Sequence, residues 1–208
     1  GVGRKTKAII SNMSQPLGYA VGNALEIKEA IDTLKGEGPE DLLELCYVLG
    51  SHMVVLGEKA ENLQQARTML EQSIQSGKAL ETFKTFLAAQ GGDPTIVDEP
   101  NKLPTASYQI EVPAKESGYV ANITAELVGL AAMNLGAGRA TKESVIDLSV
   151  GVVLHKKIGD YVQEGDALVT IHSNDKTIAE VTENIYQAYQ ITDRSVEKPP
   201  LIYSEIHE

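Results

Sequence analysis

The chain has 208 residues, 42% of them hydrophobic and 23% charged, the balance of an ordinary folded protein with apolar material for one large domain or two small ones. Acidic residues outnumber basic ones 29 to 18, a net charge of −11, and no basic stripe interleaved with aromatics appears, which argues against a nucleic-acid partner. The lone cysteine, Cys46, can form neither an internal disulfide nor a thiolate metal cluster; with no signal peptide and no apolar run of membrane length, a cytoplasmic location and no membrane partner are expected.

The chain opens Gly1-Val2-Gly3-Arg4-Lys5-Thr6, without Met, and passes at once into an apolar strand over residues 5–11, as expected for a piece of a longer protein. Residues 12–22 read as an irregular loop punctuated by Pro16, Gly18 and Gly22. Asn23 offers a helix N-cap with Glu26 as its reciprocal partner, and the helix is expected to run to about Lys35 and stop at Gly36 and Gly38. Leu42, Leu45, Leu49, Met53 and Leu56 recur at helical spacing, which predicts a core helix over 39–57 with Cys46 buried on its apolar face. Two further helices follow, lined by Leu63, Ala66, Leu70 and Ile74 and by Leu80, Phe83 and Leu87. One strand among four helices cannot satisfy its own backbone polar groups, so its sheet partners must come from outside residues 1–92.

Residues 93–106 contain Asp93-Pro94, Glu99-Pro100 and Leu103-Pro104 and read as an extended linker. Beyond it, strands are expected over 107–113, 118–125, 144–150, 151–155 and 167–172, then a helix opened by Asp175 with Ile178, Val181, Ile185 and Tyr189 on one face, then a strand or extended tail over 190–204. The expected fold is therefore α+β: residues 1–92 as the second part of a mixed α/β domain, 93–106 as linker, and 107–208 as a β module with a terminal helix. Inside that module Gly159-Asp160 and Gly165-Asp166 supply tight turns in a repeat, Lys-x-Gly-Asp-x-Val-x-x-Gly-Asp-x-Leu, that resembles half of the hammerhead, barrel-sandwich-like fold of biotinyl and lipoyl carriers. A carrier also needs an exposed Lys at a hairpin tip, and Asp175-Lys176, the nearest approach, opens a helix instead.

Few residues suggest chemistry. His52 is expected to be a satisfied core or interface histidine, His155 to sit with Lys156 and Lys157 on a surface strand, His172 to end a strand and His207 to lie in the tail; no pair has metal-ligand spacing. No nucleophile elbow or Walker-type loop is present. Gly136-Ala137-Gly138-Arg139 could cradle an anion but lacks a strand-to-helix junction, so a turn whose Arg makes a salt bridge or packs between domains is expected. Glu26 and Glu29 lie in the first turns of the helix after an irregular loop, where carbonyls without helical partners and one carboxylate could surround a monovalent cation, although a capping box plus a surface Glu accounts for them equally.

Residues 9–29, with the core Gly22-Asn23-Ala24-Leu25-Glu26-Ile27-Lys28-Glu29, resemble the corresponding stretch of bacterial pyrimidine nucleoside phosphorylases. So do Leu135-Gly136-Ala137-Gly138-Arg139 with Ile146-Asp147 and Val150-Gly151, and the Gly159-Asp160…Gly165-Asp166 repeat, so the resemblance runs in order along essentially the whole chain. It implies the C-terminal half of a homodimeric enzyme that converts a pyrimidine nucleoside and phosphate, its co-substrate, into the free base and a pentose 1-phosphate. It further implies that the phosphate- and base-binding residues lie upstream, leaving no catalytic or substrate-binding residue here. One family site reaches this chain: a potassium ion whose matching ligands are the carbonyls of Leu17 and Ala20 and the side chain of Glu29, with two further carbonyls from upstream. Two other readings remain open. One is a stand-alone hammerhead binding module without catalysis. The other is a phosphoribosyltransferase relative, which would lack the hammerhead.

Overall fold

The computed structural model describes residue 3 and residues 5–207, so Gly1, Val2 and Arg4 of the Met-less opening lie outside the described residues. In chain order the strands are β1 (Lys7–Ser11), β2 (Ala20–Val21), β3 (Tyr108–Pro113), β4 (Gly118–Ile123), β5 (Gly151–Leu154), β6 (Tyr161–Val162), β7 (Ala167–Ser173), β8 (Tyr189–Thr192) and β9 (Ile202–His207). The helices are α1 (Asn23–Lys35), α2 (Glu40–Leu56), α3 (Leu63–Gln75), α4 (Lys78–Ala89), α5 (Ala125–Ala132) and α6 (Ala179–Ala188). Helices and several small antiparallel sheets thus make an α+β protein. Two compact units form, each from more than one stretch of chain: Gly1–Asn12 with Ala30–Glu99 and Pro200–Glu208, and Met13–Glu29 with Pro100–Pro199.

In the first unit the single N-terminal strand finds its partner at the other end of the chain. β1 pairs antiparallel with β9, with Ala8 opposite Ile206 and Ile9 opposite Glu205. Glu205 Oε2 also accepts a hydrogen bond from Nε2 of the buried His52 of α2 at 3.1 Å, which ties that helix to β9. α2 forms where the sequence places it, but its apolar stripe is not core: Leu49, Met53 and Leu56 are 42%, 71% and 39% exposed, while Ser51 and His52 are buried. Helical periodicity marks a face able to pack and does not say what covers it. Cys46, expected to be buried, is likewise exposed. Burial of its thiol against neighbouring groups still pushes its pKa up, so Cys46 is expected to react with iodoacetamide in the folded chain, more slowly than a free thiol at the same pH. Mass spectrometry against pH checks this.

α3 starts with Asn62, whose side chain accepts from the Gln65 amide at 2.9 Å. Arg67 ties it to α2 through a fork onto Glu44 at 2.8 and 2.6 Å and holds Glu71 at 2.9 Å. The stretch expected as an extended linker is instead wound into 3-10 turns, Pro94–Val97 and Pro100–Lys102, because Asp93 caps the Thr95 amide and the prolines fit first-turn positions. Val97 there is fully buried.

The second unit holds a four-stranded antiparallel sheet, ordered β2-β5-β7-β3, and a three-stranded one, ordered β6-β4-β8. Val112, Val120, Ile123, Val152, Leu154, Leu168 and Ile171 from the strands pack with Val128 of α5 and Ile185 of α6. The two Gly-Asp turns form as read. Gly159 and Gly165 have φ of 93° and 90°, and each following Asp accepts an amide three residues back, Asp160 from Lys157 at 2.8 Å and Asp166 from Gln163 at 3.1 Å. Other details differ. The strand expected over 118–125 ends at Ile123 and α5 follows it, unannounced because its mean composition is apolar rather than amphipathic. No strand forms over 144–150, where Asp147 folds the chain into turns. The helix expected from Asp175 starts at Ala179, and Tyr189 begins β8.

Candidate functional site

The loop between β1 and β2 is where the carboxylate and carbonyl groups singled out from sequence meet. Glu29, more than one turn into α1, sends Oε1 back to accept the Tyr19 and Ala20 amides at 2.8 and 3.0 Å. Gly18 sits at φ 66°, and a Cβ there would collide with the Glu29 carboxylate, so the loop needs glycine on both counts. The Tyr19 carbonyl accepts the Leu154 amide at 2.8 Å. Ala20 therefore occupies a non-hydrogen-bonded position opposite Val153, and its carbonyl points off the open edge of β2, away from β5. The Ser14 carbonyl accepts the Ala125 amide at 3.3 Å and the Pro16 carbonyl accepts Nζ of Lys157 at 2.7 Å. The Leu17 carbonyl takes no hydrogen bond among the described residues. The loop thus presents hard oxygens, a single carboxylate among neutral carbonyls, which is the donor chemistry of an alkali cation rather than a transition metal. Among the described residues no three His, Cys, Asp or Glu side chains gather into a metal cluster.

The capping assignment changes. Glu26 accepts the Gly22 amide at 2.9 Å, whereas Asn23 donates its side-chain amide to the Ala137 carbonyl at 2.9 Å instead of capping α1. Lys157, expected on a surface strand, is 7% exposed, and its ammonium lies 5.3 Å from the Tyr19 ring centroid. Sequence reading passed over it because it follows His155 and Lys156 in a polar tract; the following Gly159-Asp160 turn, which folds the tract inward, was the available signal. His155 is exposed and bonds Thr170 Oγ1 at 2.7 Å. Burial, then the charges of Lys28 and His155, hold the His172 pKa below the usual imidazole value. Lys176 lies over the Tyr108 ring ahead of α6, not at a hairpin tip.

Gly136-Ala137-Gly138-Arg139 closes a π-turn, Met133–Ala137, at the C-terminal end of α5, where the helix dipole repels anions. Arg139 forms no ion pair among the described residues, so the expected salt bridge is not found there. The neighbouring Asp147 is well anchored: Oδ1 accepts the Ser149 amide and hydroxyl at 2.9 and 2.6 Å, and Oδ2 accepts Asn174 at 2.8 Å. These bonds hold its carboxyl below the usual carboxylate range. A depressed folded-state pKa means the stabilisation is complete at neutral pH and lost as pH falls through that value, below the ordinary Asp titration. NMR titration should therefore show the Ser149 amide moving below the ordinary Asp range, and Asp147→Asn should abolish that transition.

Comparison with known proteins covers the same ground. Residues 2–80 match the family described as Glycosyl transferase family, a/b domain, and residues 119–192 match Pyrimidine nucleoside phosphorylase C-terminal domain. The pyrimidine-nucleoside phosphorylase of Geobacillus stearothermophilus is 64% identical over 205 residues, 99% of this chain and 47% of that protein. That of Bacillus subtilis (strain 168) is 58% identical over 207 residues, and that of Staphylococcus aureus (strain USA300) 57%, each covering 100% of this chain and 48% of the relative. Identity at this level along the whole sequence, with both parts matched in order, places the chain in the pyrimidine-nucleoside phosphorylase family, and it spans about half the length of those curated relatives.

Proposed function

We propose that the chain acts as the C-terminal half of a pyrimidine-nucleoside phosphorylase, a pentosyl transfer enzyme that exchanges the base of a pyrimidine nucleoside for phosphate and releases a pentose 1-phosphate. The observation behind this is the 57–64% identity to such enzymes over 99–100% of the chain. On this reading the groups that bind phosphate and base belong to the other half, and this chain supplies scaffold and part of a potassium site at Leu17, Ala20 and Glu29. The fit of these residues is supported by the outward Ala20 carbonyl, by a Leu17 carbonyl that takes no hydrogen bond among the described residues, and by a carboxylate already fixed by two amides. Bound there, potassium would supply positive charge that draws the loop carbonyls and Glu29 together. Glu29 orients the loop through the Tyr19 and Ala20 amides, and Gly18 gives the carboxylate room. We take residues 107–208 as the hammerhead module, the assembly as a homodimer and the location as the cytoplasm. No helix among the described residues is long and apolar enough to cross a membrane.

The test is phosphorolysis of uridine and thymidine by this chain, alone and mixed with the half of a relative that it does not span, with potassium present. Turnover only in the mixture is the expected result. Turnover by the chain alone would place the catalytic groups within these 208 residues and overturn the reading.

A further inference from the structure

Lys157 is a buried ammonium, 7% exposed, that the proposed function does not use. A buried charge is retained only where strong partners hold it, and the carbonyl of Pro16, 2.7 Å from Nζ, is such a partner. The adjoining Ile158 amide donates to Gln15 Oε1 at 2.8 Å, and the Leu154 amide to the Tyr19 carbonyl at 2.8 Å. Residues 154–158 therefore grip the loop at Gln15, Pro16 and Tyr19, on both sides of Leu17 and Gly18. Two loop carbonyls, Pro16 and Tyr19, are taken up by this grip, while those of Leu17 and Ala20 are not among its acceptors.

We propose that Lys157 is a positioning residue for the cation loop: its ammonium occupies the Pro16 carbonyl, withdraws it from the ligand set, and so leaves the carbonyls of Leu17 and Ala20 to face the ion beside Glu29. The inference rests on the potassium reading above. Lys157 acts through the Pro16 backbone carbonyl. The ammonium behaves as a tethered cation filling one carbonyl permanently, so the mobile ion meets a loop with its shape already set. Outer residues that orient a metal's ligands change affinity by about 10- to 100-fold when removed.

The experiment compares Lys157→Met, which keeps the length and removes the charge, with the parent chain by amide hydrogen exchange in choline chloride. Exchange at Tyr19 and Ala20 should rise about tenfold, the size of one lost hydrogen bond, while Val152 and Ile171 in the neighbouring strands stay unchanged. Unchanged exchange at Tyr19 and Ala20 overturns the proposal, and so does a uniform rise across all four amides, which is general destabilisation. If Lys157→Met does not fold, Gln15→Ala, which removes only the acceptor of the Ile158 amide, should loosen the same two amides, and no loosening overturns the proposal. A second arm measures the thermal shift produced by potassium against choline in the chain mixed with the other half. A parent protein that ignores potassium refutes the cation reading even where Lys157 governs the loop, so the two failures are separate. A Lys157→Met protein with an unchanged half-saturating potassium concentration refutes the selection of ligands by Lys157.

Discussion

Glu29→Ala is expected to weaken the proposed potassium response of the assembled enzyme and to destabilise the loop between β1 and β2. The side chain accepts two backbone amides, from Tyr19 and Ala20, and Ala20 is buried. Alanine would strand both donors. Hydrogen bonds to a charged acceptor each contribute about 1.5–3 kcal/mol, and part of the loss is recovered when water reaches the amide of the exposed Tyr19, so a net cost of about 3 kcal/mol is expected. Denaturant unfolding of the chain measures this term without any metal. The cation term is read separately, as the potassium concentration for half-maximal phosphorolysis in the mixture with the other half. A rise of at least about tenfold is expected, since the only carboxylate of the proposed set is gone. Glu29→Gln sharpens the result. The amide oxygen can still accept from Tyr19 and Ala20, so most of the stability should return, while the negative charge that favours the cation does not. Potassium dependence left intact in Glu29→Ala would remove Glu29 from the site.

Much of the fold was legible because local chemistry decides it. Gly36 and the Gly-Asp turns act within a few residues of themselves, and helices α1–α4 fall within a few residues of their expected bounds. What escaped were facts set at a distance. The partner of β1 lies about 200 residues further on in β9, beyond any local pattern. α5 is only eight residues long and, apart from Glu126, has no polar side chain, so neither period that distinguishes helix from strand stands out. The stripe of α2 was read correctly as apolar and wrongly as buried, since amphipathicity is a property of one element and burial of two.

At the candidate site the sequence suggested the loop and its carboxylates, and the geometry separates the two acids. Glu26 turns back to the Gly22 amide at its own helix start, whereas Glu29 crosses to the loop. Spacing alone could not make that distinction, because both residues lie on the same helical face. The role of Lys157 was hidden for a different reason. Lysines are so rarely buried that a Lys next to a Gly-Asp turn reads as surface, and the Pro16 carbonyl that accepts from this one lies 141 residues away.

Ile171→Ala is expected to cost about 4 kcal/mol, the upper part of the range for a large aliphatic side chain removed from a closed core. Ile171 is fully buried on β7, the strand flanked on both sides within the four-stranded sheet, with Val152 of β5 opposite it on one side and Ile110 of β3 on the other. Both neighbours are held by backbone ladders, so the sheet cannot close over the lost side chain and the cavity persists. Ile171→Val removes one methylene and should cost about 1 kcal/mol. The pair also provides the control that the cation experiments need. Ile171→Ala weakens the sheet whose β5 leads into residues 155–158 without altering any hydrogen bond of the loop, so potassium should raise its melting temperature by as much as it raises that of the parent assembly. Glu29→Ala, with a similar loss of stability, should show no such rise. Equal potassium shifts in the two variants would mean that the ion responds to something other than this loop, and a shift lost from both would mean that it stabilises the second unit as a whole rather than through Glu29.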